Sequence, residues 1–260
     1  MHKWHRLKSF LQYLVKGQSR YLIHSPFVFD FINEVLNDER QFYAYEAIAS
    51  IEQQYRNNQQ SILLSDLGSL SQNGKTDTVS HLFHKTALPS KHARLLFKMI
   101  NYYQPQNLLE IGTGLGFSTL HLALAKKKAP FVSLEGNPML ADLALKNLHE
   151  ADAHQVQILR GNFKETLPFA LEKLEKLDFV FIDGNHTKEA TLDYFAQCVP
   201  LTNTSTIMVF DDIYWSPGMT EAWKQITTHS QVTLAIDLWR LGIVFFRKEI
   251  KQRDVYTLYF

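Results

Sequence analysis

Between about residue 90 and residue 248 the hydrophobic pattern switches repeatedly between two periods, and this limits the fold more than any other feature. "KHARLLFKMINYY" has helical spacing, "NLLEI" is a short apolar strand, and "FSTLHLALAKKK" is helical again. The alternation continues through the strands "PFVSLEG", "VQILRG", "LDFVFID" and "TSTIMVFDD", each followed by a helical stretch. Strands alternating with helices of about 10–15 residues predict a parallel sheet with helices on both faces. Two last strands, "QVTLAIDLW" and "GIVFFRK", are joined by a short link around Arg240 and Leu241. So short a link cannot make a parallel crossover, so the last strand must run antiparallel. The expected fold is α/β: a seven-stranded, mostly parallel, Rossmann-like sheet.

The first 90 residues read differently. "KWHRLKSFLQYLVKG" carries Trp4, Leu7, Phe10, Leu11 and Leu14 at helical spacing, and Gly17 can end it. In "SPFVFDFINEVLND", Ser25 is a candidate N-cap with Pro26 at the first helical position. The expected organisation is a helical N-terminal cap over 1–90, a ligand-binding domain over 91–250 and a tail over 251–260. "GSLSQNGKT" (68–76) ends like a phosphate-binding loop, but five residues separate Gly68 from Gly74 where that loop needs four, so ATP or GTP binding is rejected. A cap loop with Lys75 as a substrate contact is the alternative.

Bulk composition removes several function classes. Lys+Arg is 27 and Asp+Glu 26, a net charge of +1, so nothing sequence-wide attracts nucleic acid or anionic membrane. No apolar run approaches the roughly 18 residues of a membrane span. The single cysteine, Cys198, sits in an apolar helical run and reads as a buried inert thiol in a reducing compartment. A cytoplasmic protein is expected, with a homodimer left open and no membrane partner.

Chemistry concentrates at strand ends. "LLEIGTGLGFSTL" (108–120) is a strand, a glycine turn and a helix. Gly112, Gly114 and Gly116 permit positive φ and close backbone approach, and the helix start offers unpaired N–H groups. A dinucleotide fingerprint wants G-x-G-x-x-G, but here the third glycine comes one residue early. Glu110 before the loop suits a cationic ligand better than a pyrophosphate. Glu135, at the end of the next strand, can accept ribose hydroxyls. "FIDGNH" and "MVFDD" bring Asp183, His186, Asp211 and Asp212 to later strand ends. Ligands bind beyond the carboxyl ends of such strands, and clustered carboxylates raise one another's pKa unless a cation compensates.

This order of features resembles the class I S-adenosylmethionine-dependent methyltransferases. The resemblance implies that Glu110, Gly112, Thr113, Gly114 and Gly116 lie near the methionine part of the cofactor. It places Ser118 on the cofactor's carboxylate, Glu135 with Gly136 at the ribose, and Asn162 and Phe163 at the adenine. The acids resemble those of the metal-dependent catechol O-methyltransferase-like group and its bacterial relatives, which implies Mg²⁺ on Asp183, Asp211 and Asp212. Asp183 can also be a cofactor neighbour with no metal, and Asp211–Asp212 a loop cap. His186 stands where that group has a catalytic lysine, and it reads equally as a general base or as an N-cap or supporting residue. The implied function is methyl transfer to an oxygen of a small molecule. An RNA or protein methyltransferase, and a non-catalytic S-adenosylmethionine-binding module, are the alternatives.

Overall fold

The expected alternation is built. A computed structural model describes residues 2–63 and 76–260, so the 68–75 part of the rejected phosphate loop, Lys75 included, lies outside the described residues. In chain order the helices are α1 (His2–Lys16), α2 (Pro26–Phe31), α3 (Tyr43–Arg56), α4 (Val79–Thr86), α5 (Ser90–Tyr103), α6 (Phe117–Ala125), α7 (Pro138–Glu150), α8 (Phe163–Leu174), α9 (Lys188–Cys198) and α10 (Pro217–Thr228). The strands are β1 (Ser61–Leu63), β2 (Thr76–Thr78), β3 (Leu108–Ile111), β4 (Phe131–Glu135), β5 (Val156–Arg160), β6 (Leu177–Ile182), β7 (Thr202–Phe210), β8 (Leu234–Asp237), β9 (Gly242–Phe245) and β10 (Asp254–Thr257). The chain forms two compact units, residues 38–174 and residues 1–37 with 175–260. These boundaries cut the chain differently from a 1–90 cap and a 91–250 domain.

In the 38–174 unit, β3, β4 and β5 pair in parallel, with Glu110 opposite Ser133 and Glu135 opposite Arg160. Strands β3 and β4 are buried along their whole length. Helix α3 buries Tyr45, Ile48, Ile51 and Tyr55 at helical spacing. The Tyr55 hydroxyl donates to Asn147 Oδ1 at 2.8 Å, and its ring meets Phe117 edge-on at 5.2 Å. These contacts explain why residues before 90 join this unit. Helix α7 begins on Asn137, whose Oδ1 accepts from the Met139 and Leu140 N–H groups, with Pro138 at its first position.

In the other unit the strand order is β10-β8-β9-β7-β6. Strands β6 and β7 are parallel, and β9 runs antiparallel to both β7 and β8. The short link closes through the Leu238 N–H on the Leu241 carbonyl, with Trp239 at φ 64°. The tail is more than a tail: it forms β10, parallel to β8, and Leu258 bridges to Gln18. Periodicity missed it because a four-residue, half-buried edge strand carries little pattern. Phe179, Val180 and Phe181 of β6 are fully buried, each stabilising by roughly 1.5–3 kcal/mol.

Helix α1 forms as expected and ends before Gly17, but its apolar face is not the buried one. Trp4 is 78% exposed, and Leu7, Leu11 and Leu14 are also exposed. Ser9 and Tyr13 are buried instead, because the Tyr13 hydroxyl donates to the Leu258 carbonyl at 2.7 Å. A β-carbon on Gly17 would collide with the Tyr259 ring. Helix α2 is capped by Ser25, as the sequence indicates. Cys198 is fully buried, and burial pushes its thiol up to about 12, an unreactive state. Among the described residues no helix is long and apolar enough to cross a membrane.

Candidate functional site

The chemistry-bearing residues fall into two clusters, one in each unit. The first is the glycine loop between β3 and α6. Gly112, Gly114 and Gly116 have φ of 107°, 55° and 84°, the left-handed region that side chains disfavour. Gly116 is also sterically required, since a β-carbon there would sit 2.9 Å from the Ala144 side chain. At Gly114 a β-carbon would meet nothing within 4 Å among the described residues. The loop is therefore tight at its helix side and open at Gly114. The Gly112 and Thr113 N–H groups both reach the Leu134 carbonyl at 3.0 Å.

Glu110 is fully buried beneath this loop and accepts three hydroxyl hydrogen bonds. Ser118 donates to one oxygen at 2.7 Å, and Thr119 and Ser133 donate to the other at 2.5 and 2.7 Å. Ser118, expected on the cofactor's carboxylate, is thus occupied in holding Glu110. Thr113 bonds Ser133 at 2.6 Å and tightens the same network. These hydroxyl donors help to satisfy a carboxylate taken out of water.

Glu135 is buried at the end of β4. Its two oxygens accept from the Gly114 N–H at 2.7 Å and the Asn137 N–H at 2.8 Å. Burial pushes its carboxyl up to about 7, against the backbone N–H groups of Asn137, Gly114 and Gly136, which lower it. With three N–H groups on a carboxylate that has about four lone-pair sites, room remains for a ligand hydroxyl. Asn137 Nδ2 is buried with no hydrogen-bond partner among the described residues, a costly state that a ligand acceptor would relieve. Phe163 is buried. Exposed Asn162 opens α8, its Oδ1 accepting from the Lys164 N–H at 3.0 Å. An open glycine, a ribose-competent carboxylate and an orphan donor fit S-adenosylmethionine.

The second cluster lies at the ends of β6 and β7. Asp183 Oδ1 pairs with His186 Nε2 at 3.3 Å. Asn185 and His186 both have positive φ, 61° and 39°, and Asn185 is pinned through its Nδ2 to the Tyr194 hydroxyl at 2.5 Å. Helix α9 is capped by Thr187, not His186. Asp212 also has positive φ, 52°, so the chain has left the strand and the neighbouring acids no longer point to opposite faces. Asp211 is buried, and both its oxygens accept from Arg240, from Nε at 2.8 Å and Nη2 at 2.8 Å. Arg240 Nε lies 3.8 Å from Asp212. Residues held in such sparse backbone regions mark places where geometry is over-determined.

The ionisable groups here face one another at close range. Burial, followed by the Asp211 charge, pushes Asp183 up to about 7, opposed by His186 and Arg240. For His186, burial alone lowers the imidazole, but the hydrogen bond and charge of Asp183, with Asp211 and Asp212, outweigh it and lift the ring to about 9. The imidazole thus keeps its proton at neutral pH. Burial and Asp211 raise Asp212, while Arg240, His186 and Arg6 pull it down. Arg6 of α1 lies 4.8 Å over Trp215 and 5.8 Å over Trp239.

The donor set does not fit a hard divalent ion as folded. Such an ion needs carboxylate oxygens open to it, and Asp211 gives both of its oxygens to a guanidinium. Among the described residues no group of three His, Cys, Asp or Glu side chains is placed to hold a metal. Sequence reasoning missed Thr119, Ser133, Asn137, Arg6 and Arg240. Ser133 was findable, because it lies two positions before Glu135 on an otherwise apolar strand and so shares its face. Arg240 had one signal, a lone cation in an apolar link.

Residues 109–213 match the family model of a methyltransferase domain. A catechol O-methyltransferase of Niastella koreensis is 34% identical over 113 residues, 42% of this chain and 50% of the relative. One of Mycobacterium tuberculosis is 31% identical over 137 residues, 52% of this chain and 60% of the relative. The chain therefore spans about half the length of the curated relatives it matches. A Bacillus cereus O-methyltransferase solved with SAH superposes with a TM-score of 0.57 at 19% identity, covering 84% of this chain and 96% of that one. At that identity the likeness shows the fold alone, a Rossmann-like α/β sheet. The 109–213 segment thus matches a methyltransferase-domain model, and the chain is similar to catechol O-methyltransferases over about half of its length.

Proposed function

We propose that the protein transfers a methyl group from S-adenosylmethionine to a hydroxyl oxygen of a small molecule. The observation that carries this reading is the glycine loop open at Gly114 beside the raised carboxyl of Glu135, within the family-matched segment. The names of the relatives, catechol and caffeoyl-CoA O-methyltransferases, support an oxygen acceptor and a phenolic substrate class. A net charge of +1 gives no support to an RNA substrate.

S-adenosylmethionine supplies the electrophilic methyl group. The loop at Gly112–Gly116 lets backbone approach the cofactor, Glu135 accepts the ribose hydroxyls, and Asn137 gives its unpartnered N–H. Asn162 and Phe163 border the adenine. Glu110 holds the loop in shape through Ser118, Thr119 and Ser133. Positioning supplies much of the rate. The Asp183–His186 pair takes up the substrate proton. Asp183 is the acceptor of the two, since His186 already holds a proton.

Mg²⁺ on Asp183, Asp211 and Asp212 rests on the resemblance to metal-dependent relatives. The Arg240–Asp211 ion pair speaks against it, and no step here uses a metal. A substrate-choosing role for the N-terminal residues is supported by Arg6, which reaches from α1 to Trp215 and acts on Asp212. Cytoplasmic location rests on the lone buried thiol, and a homodimer on exposed aromatics such as Trp4.

The test is calorimetric binding of S-adenosylhomocysteine, followed by methyl transfer to a panel of catechols. Binding by the parent and its loss in Gly114→Val are expected. No binding by the parent, or methylation of RNA alone, would overturn the reading.

A further inference from the structure

We infer that the acid cluster is metal-free and that Arg240 is its built-in cation, occupying the charge-compensating role that the resemblance implies for a divalent ion. This inference deepens the proposed function and rests on it for the identity of the reaction.

The geometry carries it. Asp211 is 1% exposed, and both its carboxylate oxygens are held by one guanidinium in a two-point fork at 2.8 Å each. A fork of this kind is the strongest arrangement available to a carboxylate and an arginine. The same guanidinium lies 3.8 Å from Asp212, so it faces both neighbouring acids. A divalent ion there would have to expel a fixed cation from a buried carboxylate and accept another positive group as neighbour.

The acids face positive groups of the chain itself. Asp183, Asp211 and Asp212 are opposed by Arg240, by Arg6 acting on Asp212, and by His186 paired to Asp183. Chain geometry also commits Arg240 to this place. It leaves the β8–β9 link directly after Trp239, whose positive φ of 64° turns the backbone, and the Ile213 N–H donates to its carbonyl at 3.3 Å. Arg240 keeps 23% of its side chain exposed. That edge gives a substrate oxygen a positive neighbour as it loses its proton, the electrostatic service a metal performs in the relatives.

The experiment is titration of Mn²⁺ into metal-stripped protein, read by calorimetry and by thermal shift, for the parent, Arg240→Lys and the paired variant Arg240→Met/Asp211→Asn. The paired variant removes both charges together, so no buried charge is left unpaired and the fold is kept. The parent is expected to show no binding heat and no thermal shift at millimolar Mn²⁺, and to keep its methyl transfer rate after dialysis against EDTA. The paired variant is expected to lose about a hundredfold in kcat/KM with unchanged S-adenosylhomocysteine affinity. Arg240→Lys keeps the charge but not the fork, and is expected to fall between the two in rate. Stoichiometric Mn²⁺ binding by the parent that disappears in Asp211→Asn would overturn the inference, as would full activity in the paired variant. Metal titration needs no cofactor. If the parent fails to bind S-adenosylhomocysteine, the methyltransferase reading fails while the metal result still decides this one.

Discussion

The two clusters bury carboxylates in opposite ways. Beneath the glycine loop, Glu110 is satisfied by three neutral hydroxyls. At the ends of β6 and β7, Asp211 is satisfied by a guanidinium and Asp183 by an imidazolium. Hydroxyl donors fix a buried carboxylate through several neutral hydrogen bonds. Cationic partners cancel its field and lock the geometry. The first cluster is held by hydroxyls, and the second contains its own cationic partners.

This contrast can be broken from the cationic side first. Arg240→Ala leaves Asp211 buried and unpaired, and a loss of about 3–5 kcal/mol in urea unfolding is expected. Much of it should return when Asp211→Asn is added. A loss below about 1 kcal/mol would place the pair among weak surface contacts instead.

On the neutral side, Gly116→Ala combines a φ of 84° with a 2.9 Å contact to Ala144. Destabilisation by about 1–3 kcal/mol is expected, together with weakened S-adenosylhomocysteine binding. Ser133→Ala removes one of the three donors to Glu110 and should cost about 1–3 kcal/mol. An unchanged midpoint of chemical denaturation would show that water replaces the hydroxyl and that the pocket is wetter than its burial indicates.

The smallest effect is in pH. Glu135 has its carboxyl raised from an ordinary 4.5 to about 7 by burial. A folded state that holds this proton more tightly gains stability that is fully present below 4.5 and lost as pH rises through about 7. The ionised form accepts ribose hydroxyls better, so S-adenosylhomocysteine affinity should rise over the same interval. Glu135→Gln should flatten both profiles, measured by calorimetry and thermal melts across neutral pH. A pH-dependent affinity that survives in the variant would assign the effect to another group.

Much of this was legible in the chain. Strand–helix alternation is a local pattern, and it located β3 to β9 and the antiparallel course of β9. Glu110, Glu135, Asp183 and the Asp211–Asp212 pair stand at strand ends, where the topology of an open sheet puts ligands. Less was legible where the answer depended on who stands opposite whom. Nothing near Ser118 in sequence says that its hydroxyl turns back to Glu110 rather than out to a ligand. The apolar stripe of α1 looked like a buried face, yet Tyr13 with its bond to Leu258 chose the other one.

By itself the sequence determined the order of elements, the glycines whose φ only they adopt, and the positions of the acids, because each depends on residues a few places apart. Tertiary structure alone decided which partner satisfies each acid. Arg240 is 29 residues from Asp211, and a hydrogen-bonding fork between them exists only after β7, β8 and β9 have paired. Burial then makes that choice of partner expensive to change.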